Sequence, residues 1–205
     1  IWIAQREGRA KDSDDRTQES LLKMLAMGGE GGLVESLKQL NIAPLAISYE
    51  YDPCDFLKAK EFQLKRDNEN YKKTQADDMA NMQTGILGYK GRVHSQTGKP
   101  VNEWSDEYAT LPKGEIFKAI AARMDREIHA NYRLFPGNYI AADMLDGKED
   151  FKAHYTADDR QRFEAYLAKK LSLIDVPNKD EAFLRERILT MYAMPLRNQI
   201  TALNS

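Results

Sequence analysis

The stretch Ile1-Trp2-Ile3-Ala4-Gln5-Arg6-Glu7-Gly8-Arg9-Ala10-Lys11-Asp12 decides the fold that the sequence predicts. Its first four residues are apolar, and a charged segment around Glu7 and Gly8 follows them. An apolar run that leads into a charged, glycine-containing loop is typical of a buried strand with a ligand-binding loop at its C-terminal end. We therefore expect residues 1–4 to form a strand. We also expect residue 1 to lie inside a longer protein, because neither an initiator Met nor an earlier strand precedes it.

The next segments complete a strand–helix–strand pattern. Residues 17–27 have leucines at helical spacing, and a second, shorter helix is expected between residues 33 and 40. Residues 43–49 form a second apolar run that contains Pro44. A strand, a helical segment and another strand make a βαβ unit, in which the two strands are parallel. The sequence thus predicts an α/β fold with a partial, mostly parallel sheet and flanking helices.

The second half of the chain has a helical pattern. Apolar residues recur at helical spacing from Ile116 to Ile128, and further helices are expected at 138–146, 157–173 and 180–203, the last interrupted by Pro195. We therefore divide the chain into an α/β part at 1–112 and a helical region at 113–205 that packs on it or follows it.

Composition excludes several classes of protein. A net charge of −2 gives no indication of nucleic-acid binding. The single cysteine, Cys54, excludes a disulfide framework. No apolar run approaches the roughly 18 residues of a membrane span, and no cluster of His, Cys or Asp has metal-ligand spacing. The sequence therefore predicts neither a bound metal nor a bound cofactor.

Three segments resemble the sequence blocks of one enzyme family. Residues 5–12 resemble the third block of glycerolipid acyltransferases, which transfer acyl groups to glycerol 3-phosphate or 1-acylglycerol 3-phosphate. That block is an apolar run ending in Pro-Glu-Gly-Thr-Arg-Ser, and Glu7 and Gly8 match its Glu-Gly pair. Residues 41–47 resemble the fourth block, an apolar segment around a proline, and residues 91–101 resemble a later strand and turn. The resemblance covers about residues 1–102 and is greatest to a bacterial subgroup.

This resemblance implies an activity. The family transfers a fatty acyl group from acyl-CoA or acyl carrier protein to a glycerol-phosphate acceptor in phospholipid biosynthesis. It implies a cytoplasmic protein that is peripheral to the inner membrane, with the membrane surface as a partner. The family's catalytic His-x-x-x-x-Asp block precedes the Glu-Gly block, so we expect the general base upstream of residue 1. We therefore expect 1–112 to be the C-terminal part of the acyltransferase domain and the chain by itself to be inactive.

The resemblance also implies which residues bind the acceptor, namely Glu7, Gly8, Arg9 and Lys11. A phosphate dianion requires fixed donors and positive charge, which the Arg9 guanidinium, the Lys11 ammonium and the Gly8 amide offer. Glu7 cannot contact phosphate favourably and is expected to pair with a neighbouring arginine or to accept a glycerol hydroxyl. The block departs from the family at Arg6, Arg9 and Ala10, which stand in place of Pro, Thr and Arg. The alternative interpretation of this loop is a solvated charged turn.

A second His-x-x-x-x-Asp match has a structural explanation. His154 and Asp159 fit the spacing, but they follow both family blocks in the chain. Thr156, with an acid three residues later, has the pattern of a helix N-cap. The sequence therefore predicts a capping box and not a catalytic pair.

Other functions remain compatible with the sequence. The run Lys58–Lys73 carries six cations and three acids, which suit either anionic lipid or carrier protein, or simply a solvated helix face. The altered Glu-Gly block leaves open an acyltransferase for a different lipid acceptor. A non-enzymatic α/β interaction module is the alternative from another class of protein.

Overall fold

The chain folds into a mainly helical protein, seen in a computed structural model that describes residues 1–8 and 10–204. Over these residues 58% of the structure is helical, and a single two-stranded sheet accompanies the helices. The helices are α1 (Glu19–Ala26), α2 (Leu33–Lys38), α3 (Asp55–Asp67), α4 (Gln75–Leu87), α5 (Lys113–Ala130), α6 (Pro136–Asp146), α7 (Ala157–Ser172) and α8 (Glu181–Leu203), and the strands are β1 (Leu45–Tyr49) and β2 (Val93–Thr97).

The predicted parallel α/β sheet is wrong. β1 and β2 are antiparallel, with Tyr49 opposite Val93 and Leu45 opposite Thr97. The physical reason is the connection between them. The helical hairpin α3–α4 brings the chain back to the end of β1 that it left, whereas a parallel pair needs a crossover to the opposite end. Residues 1–4 form no strand and are exposed, so the predicted first strand of a βαβ unit is absent from the described residues.

The predicted helices are largely confirmed. Residues 157–172 and 181–203 match the expected segments closely, and α5 buries Ile116, Ile120 and Ile128 as its periodicity predicts. The expected break at Pro195 is wrong, because α8 continues through this residue. Buried Ala193 and Leu196 on either side hold the helix in the core, and tertiary packing offsets the cost of the proline.

Helix α8 organises the larger of two apolar clusters. Its buried residues include Leu184, Ile188 and Ala193, all with no exposed surface. They pack with Ile140 of α6 and Leu167 of α7 in one contiguous cluster. A second cluster joins α1 and α2 to α5 around Leu22, Leu37 and Ile120. Helix α5, which carries residues of the second cluster, also packs against α8, which carries residues of the first.

The segment before α1 is fastened to α5 by a buried hydrogen-bond pair. The Thr17 amide and hydroxyl both donate to Asp125 Oδ1, at 2.8 and 2.6 Å. Burial raises the pKa of Asp125 above its ordinary value, against the opposing effect of these hydrogen bonds. One turn later on α5, His129 Nε2 lies 3.3 Å from the Asp15 carbonyl oxygen. These contacts fix residues 13–17 against α5.

Removal of this fastening is expected to destabilise the protein. Asp125→Ala leaves two buried donors of Thr17 without an acceptor, so we expect unfolding free energy to fall by about 2–3 kcal/mol. Asp125→Asn keeps an oxygen at Oδ1 and removes the buried charge, so it should cost much less. Urea unfolding at pH 7 measures both variants. Equal losses in the two variants would contradict the assigned role of the hydrogen bonds.

Candidate functional site

A cleft of about 660 Å³ lies where the N-terminal segment, β1, the turn before α3, α4 and α8 meet. Its apolar lining residues include Trp2, Ile47, Met82 and Ile86, which we call the apolar wall. Trp2, Met82 and Ile86 remain at least half exposed, although side chains of this kind are usually buried. The volume is in the range of small-molecule sites, and the wall suits a hydrocarbon chain.

The apolar wall belongs to a larger exposed surface on α4. None of the residues of this helix is buried. Met79, Met82 and Ile86 repeat at helical spacing and are 66%, 54% and 68% exposed. Leu87, the last residue of α4, and Tyr89, just beyond the helix, are also exposed. An exposed apolar stripe of this length marks an interaction surface more often than scattered single residues do.

Three cations lie among the residues that line the cleft. Lys58 Nζ pairs with Asp52 Oδ2 at 2.6 Å. Lys90 Nζ donates to the Ile86 and Gly88 carbonyl oxygens, both at 3.0 Å, and so caps the C-terminal end of α4. Arg133 is exposed, and within the described part of the chain it enters no ion pair. Its guanidinium is therefore the group best placed to meet an anionic ligand.

A buried polar cluster supports one side of the cleft. Asp55, with no exposed surface, accepts hydrogen bonds through Oδ2 from the hydroxyls of Tyr166 at 2.6 Å and Tyr192 at 2.9 Å. The Lys170 ammonium lies 3.1 Å from Asp55 Oδ1. Burial raises the pKa of Asp55, and Lys170 and Tyr166 oppose that rise. Burial and the nearby carboxylate raise the pKa of Tyr192 as well. Tyr192 reaches the cleft, so this cluster sets the position of part of its lining.

Of the four residues predicted to bind the acceptor, the three that the structure describes, Glu7, Gly8 and Lys11, do not line this cleft. Glu7 is exposed, and its amide donates to Gln18 Oε1 at 2.8 Å. Gly8 has a positive φ of 74° in open surroundings. Arg9 lies outside the described residues. Lys11 is directed to Glu61, although its neighbour Ala10 does line the cleft.

Three lysines pair with Glu61 of α3, namely Lys11, Lys65 and Lys73. We call this group the Glu61 lysine cluster. Lys11 and Lys65 both contact Glu61 Oε1, the latter at 3.0 Å, and Lys73 lies 3.0 Å from Oε2. The Glu61 side chain is only 5% exposed. Burial acts to raise the pKa of Glu61, but hydrogen bonds from the three lysines outweigh it and hold that pKa below its ordinary value. One carboxylate therefore faces three ammonium groups.

The predicted capping box at residue 156 is confirmed. Thr156 Oγ1 accepts from the Asp159 amide at 3.1 Å, and Asp159 Oδ2 accepts from the Thr156 amide at 2.9 Å. These bonds lower the pKa of Asp159 to about 2. The His154 ring instead stacks on Tyr139. Asp159 is therefore committed to the start of α7.

Several residues of the cleft carried no signal in the sequence. Arg133 and Lys90 stand alone in the chain, in no recognisable motif, and they approach the other cleft residues only through the fold. The apolar repeat of α4 was detectable by its spacing, but spacing alone does not tell whether such a stripe is buried or exposed.

Comparisons of the chain with protein-family models, with curated proteins and with solved structures gave no match. Among residues 1–8 and 10–204, no group of His, Cys, Asp and Glu is arranged to hold a metal ion. The helices of the same residues include none with both the length and the apolar character needed to cross a bilayer.

Proposed function

We propose that this chain is the part of a glycerolipid acyltransferase that binds the lipid acceptor, a glycerol phosphate carrying an acyl chain. The observation that carries this proposal is the cleft, which combines an apolar wall with cations in one cavity. An acylated glycerol phosphate has the same two chemistries in one molecule. The resemblance of residues 5–12 and 41–47 to two sequence blocks of the family supports the choice of this ligand class.

The apolar wall accounts for the acyl chain. Trp2, Met82 and Ile86 expose surface that a hydrocarbon tail would remove from water, which contributes about 0.8 kcal/mol for each buried CH₂ group. The stripe on α4 continues this surface beyond the cleft. We propose that it rests against the cytoplasmic face of the inner membrane, from which the acceptor would enter.

The cations account for the phosphate. Asp15 and Asp52 also line the cleft, but the carboxylate of Asp52 is already paired with Lys58, and Asp15 Oδ1 accepts from the Ala10 amide at 3.2 Å. Lys58, Lys90 and Arg133 outnumber these two acids. Arg133 enters no ion pair among residues 1–8 and 10–204, and its guanidinium can offer two parallel N–H donors to a phosphate.

Acceptor binding is the role we assign to this chain, and acyl transfer from acyl-CoA or acyl carrier protein would need a general base as well. No histidine is among the residues that line the cleft. The His154 motif is used in a capping box. Within the described residues the cleft therefore offers no histidine as a general base.

Ligand binding by the 205-residue chain tests the proposal. We expect 1-acylglycerol 3-phosphate to bind and to change the fluorescence of Trp2, which lines the cleft, while Trp104 is buried elsewhere. The monoacylglycerol with the same tail and glycerol 3-phosphate without a tail should each bind at least about tenfold more weakly, because each lacks one of the two chemistries. Trp2→Phe identifies the signal.

Arg133→Gln sharpens this test. It should weaken 1-acylglycerol 3-phosphate about tenfold and leave monoacylglycerol unchanged, because hydrogen bonds to charged groups contribute about 1.5–3 kcal/mol. Lys113→Gln, at the opposite end of α5, removes one positive charge away from the cleft and is the matched control. Equal binding of all three ligands, or equal effects of the two substitutions, would refute the proposal. Preference for an anionic lipid without glycerol phosphate would instead favour a different acceptor.

A further inference from the structure

In the Glu61 lysine cluster the positive charges outnumber the negative charges that pair with them. Three ammonium groups surround one buried carboxylate. Lys73 also pairs with Asp78, which lies 3.6 Å away and whose side chain is 67% exposed. These five groups together carry one net positive charge.

The lysines are also crowded and accessible. Lys11 and Lys65 share the same oxygen of Glu61, so two like charges are held close together. The side chain of Lys65 is 52% exposed, and those of Lys11 and Lys73 are about a quarter exposed. Burial lowers the pKa of Lys11 and the nearby Lys65 lowers it further, whereas Glu61 acts to raise it. An added anion would relieve this repulsion and could accept charge-assisted hydrogen bonds from the three ammonium groups.

The segments that form the cluster are distant in the chain. Lys11 comes from the N-terminal segment, Lys65 from the last turn of α3, and Lys73 from the loop before α4. Lys58, which lines the cleft, stands one turn before Glu61 on α3. The cluster is thus a neighbour of the cleft, with its own set of cations.

We propose that the Glu61 lysine cluster is a second anion site, which binds a phosphate monoester through Lys11, Lys65 and Lys73. Phosphate binding itself does not depend on the proposed function. Its assignment to the 3′-phosphate of a coenzyme A donor does rest on that function, because an acyltransferase must hold a donor beside its acceptor.

Titration calorimetry of the 205-residue chain with inorganic phosphate and with coenzyme A tests the site. Both should bind, and Lys65→Gln/Lys73→Gln should weaken both by about tenfold or more. Lys118→Gln/Lys148→Gln removes two positive charges from exposed positions elsewhere and should have no such effect. Absence of binding by both anions, or equal effects of the two double variants, overturns the site.

Glu61→Gln is a second test, because it removes the carboxylate that competes with phosphate for the three lysines. Without the internal carboxylate the three lysines lack a counter-ion, so phosphate should bind more tightly than to the wild-type chain. Added phosphate should also raise the melting temperature of this variant more than that of the wild type. If phosphate fails to stabilise Glu61→Gln, the cluster is an internal ion network and the site is refuted.

The source of the phosphate and the two proposals are separable in the same experiments. If coenzyme A binds much more tightly than inorganic phosphate, the ligand of the cluster is the coenzyme A donor. If the two affinities are equal, the ligand is free phosphate. Competition between 1-acylglycerol 3-phosphate and inorganic phosphate that requires Lys65 and Lys73 would assign the cluster to the lipid headgroup. Failure of the lipid to bind, with phosphate binding intact, would refute the proposed function and leave the anion site standing.

Discussion

Asp55→Ala is expected to lower the free energy of unfolding by about 3–5 kcal/mol, the range for breaking a buried ion pair. Asp55 has no exposed surface and accepts from Tyr166, Tyr192 and the Phe56 amide. Removing its carboxylate leaves these donors and the Lys170 ammonium without their acceptor. Because Tyr192 lines the cleft, the same substitution should also weaken ligand binding there. Urea denaturation at pH 7, with fluorescence as the readout, measures the stability.

Asp55→Asn is the matched control. The amide keeps the shape and one acceptor oxygen, and it removes a charge whose burial is unfavourable, so we expect a loss of about 1–2 kcal/mol, as for imperfectly satisfied buried hydrogen bonds.

The raised pKa of Asp55 also makes the free energy of unfolding depend on pH. The folded state binds this proton more tightly than the unfolded state, so the stabilising contribution is present at low pH and is lost as pH rises through the folded pKa. The Asn variant should lack this dependence. Equal losses for Ala and Asn would show that the hydrogen bonds contribute little.

Ile188→Ala is expected to destabilise the fold by about 2–5 kcal/mol, since it removes buried methyl and methylene groups and leaves a cavity. Ile188 lies on the buried side of α8 with no exposed surface, in the cluster that joins this helix to α6 and α7. Ile188→Val removes a single methylene and should cost about 0.5–1.5 kcal/mol. The graded loss should appear in the urea midpoint with an unchanged slope.

The same helix offers a control at its exposed end. Ile200 is 40% exposed, and Ile200→Ala should change stability by less than about 1 kcal/mol. The substitution removes a side chain that is only partly buried, and alanine favours the helix. A similar loss at positions 188 and 200 would contradict the central place of α8 in the core. A large change in slope at position 188 would indicate that the variant alters the unfolded state as well.

The helices show how far local sequence reasoning reaches. The stripe from Ile116 to Ile128 predicted α5 because apolar residues at helical spacing face one side of the element whatever its neighbours are. The cap at Thr156 could also be predicted from the local sequence, since its hydrogen bonds join residues three positions apart. The predicted break at Pro195 is wrong, because the packing that keeps α8 continuous comes from distant parts of the chain.

The strands show where that reasoning stops. A short apolar run such as residues 1–4 has no periodicity that separates a buried strand from an exposed segment. The second run did form β1, but its partner was decided by the α3–α4 hairpin, which returns the chain beside Tyr49. Direction of pairing is a property of the connection, and the connection's path depends on how its helices pack.

The candidate sites divide in the same way. The sequence by itself determined the helical segments, the cap of α7 and the presence of cations near Glu7 and along α3, because spacing and composition act over a few residues. Only the tertiary structure decided that Lys11 meets Glu61, and that Arg133 and Lys90 share a cleft with Trp2. The physical reason is that burial and charge pairing depend on contacts between segments far apart in the chain, which no local pattern encodes.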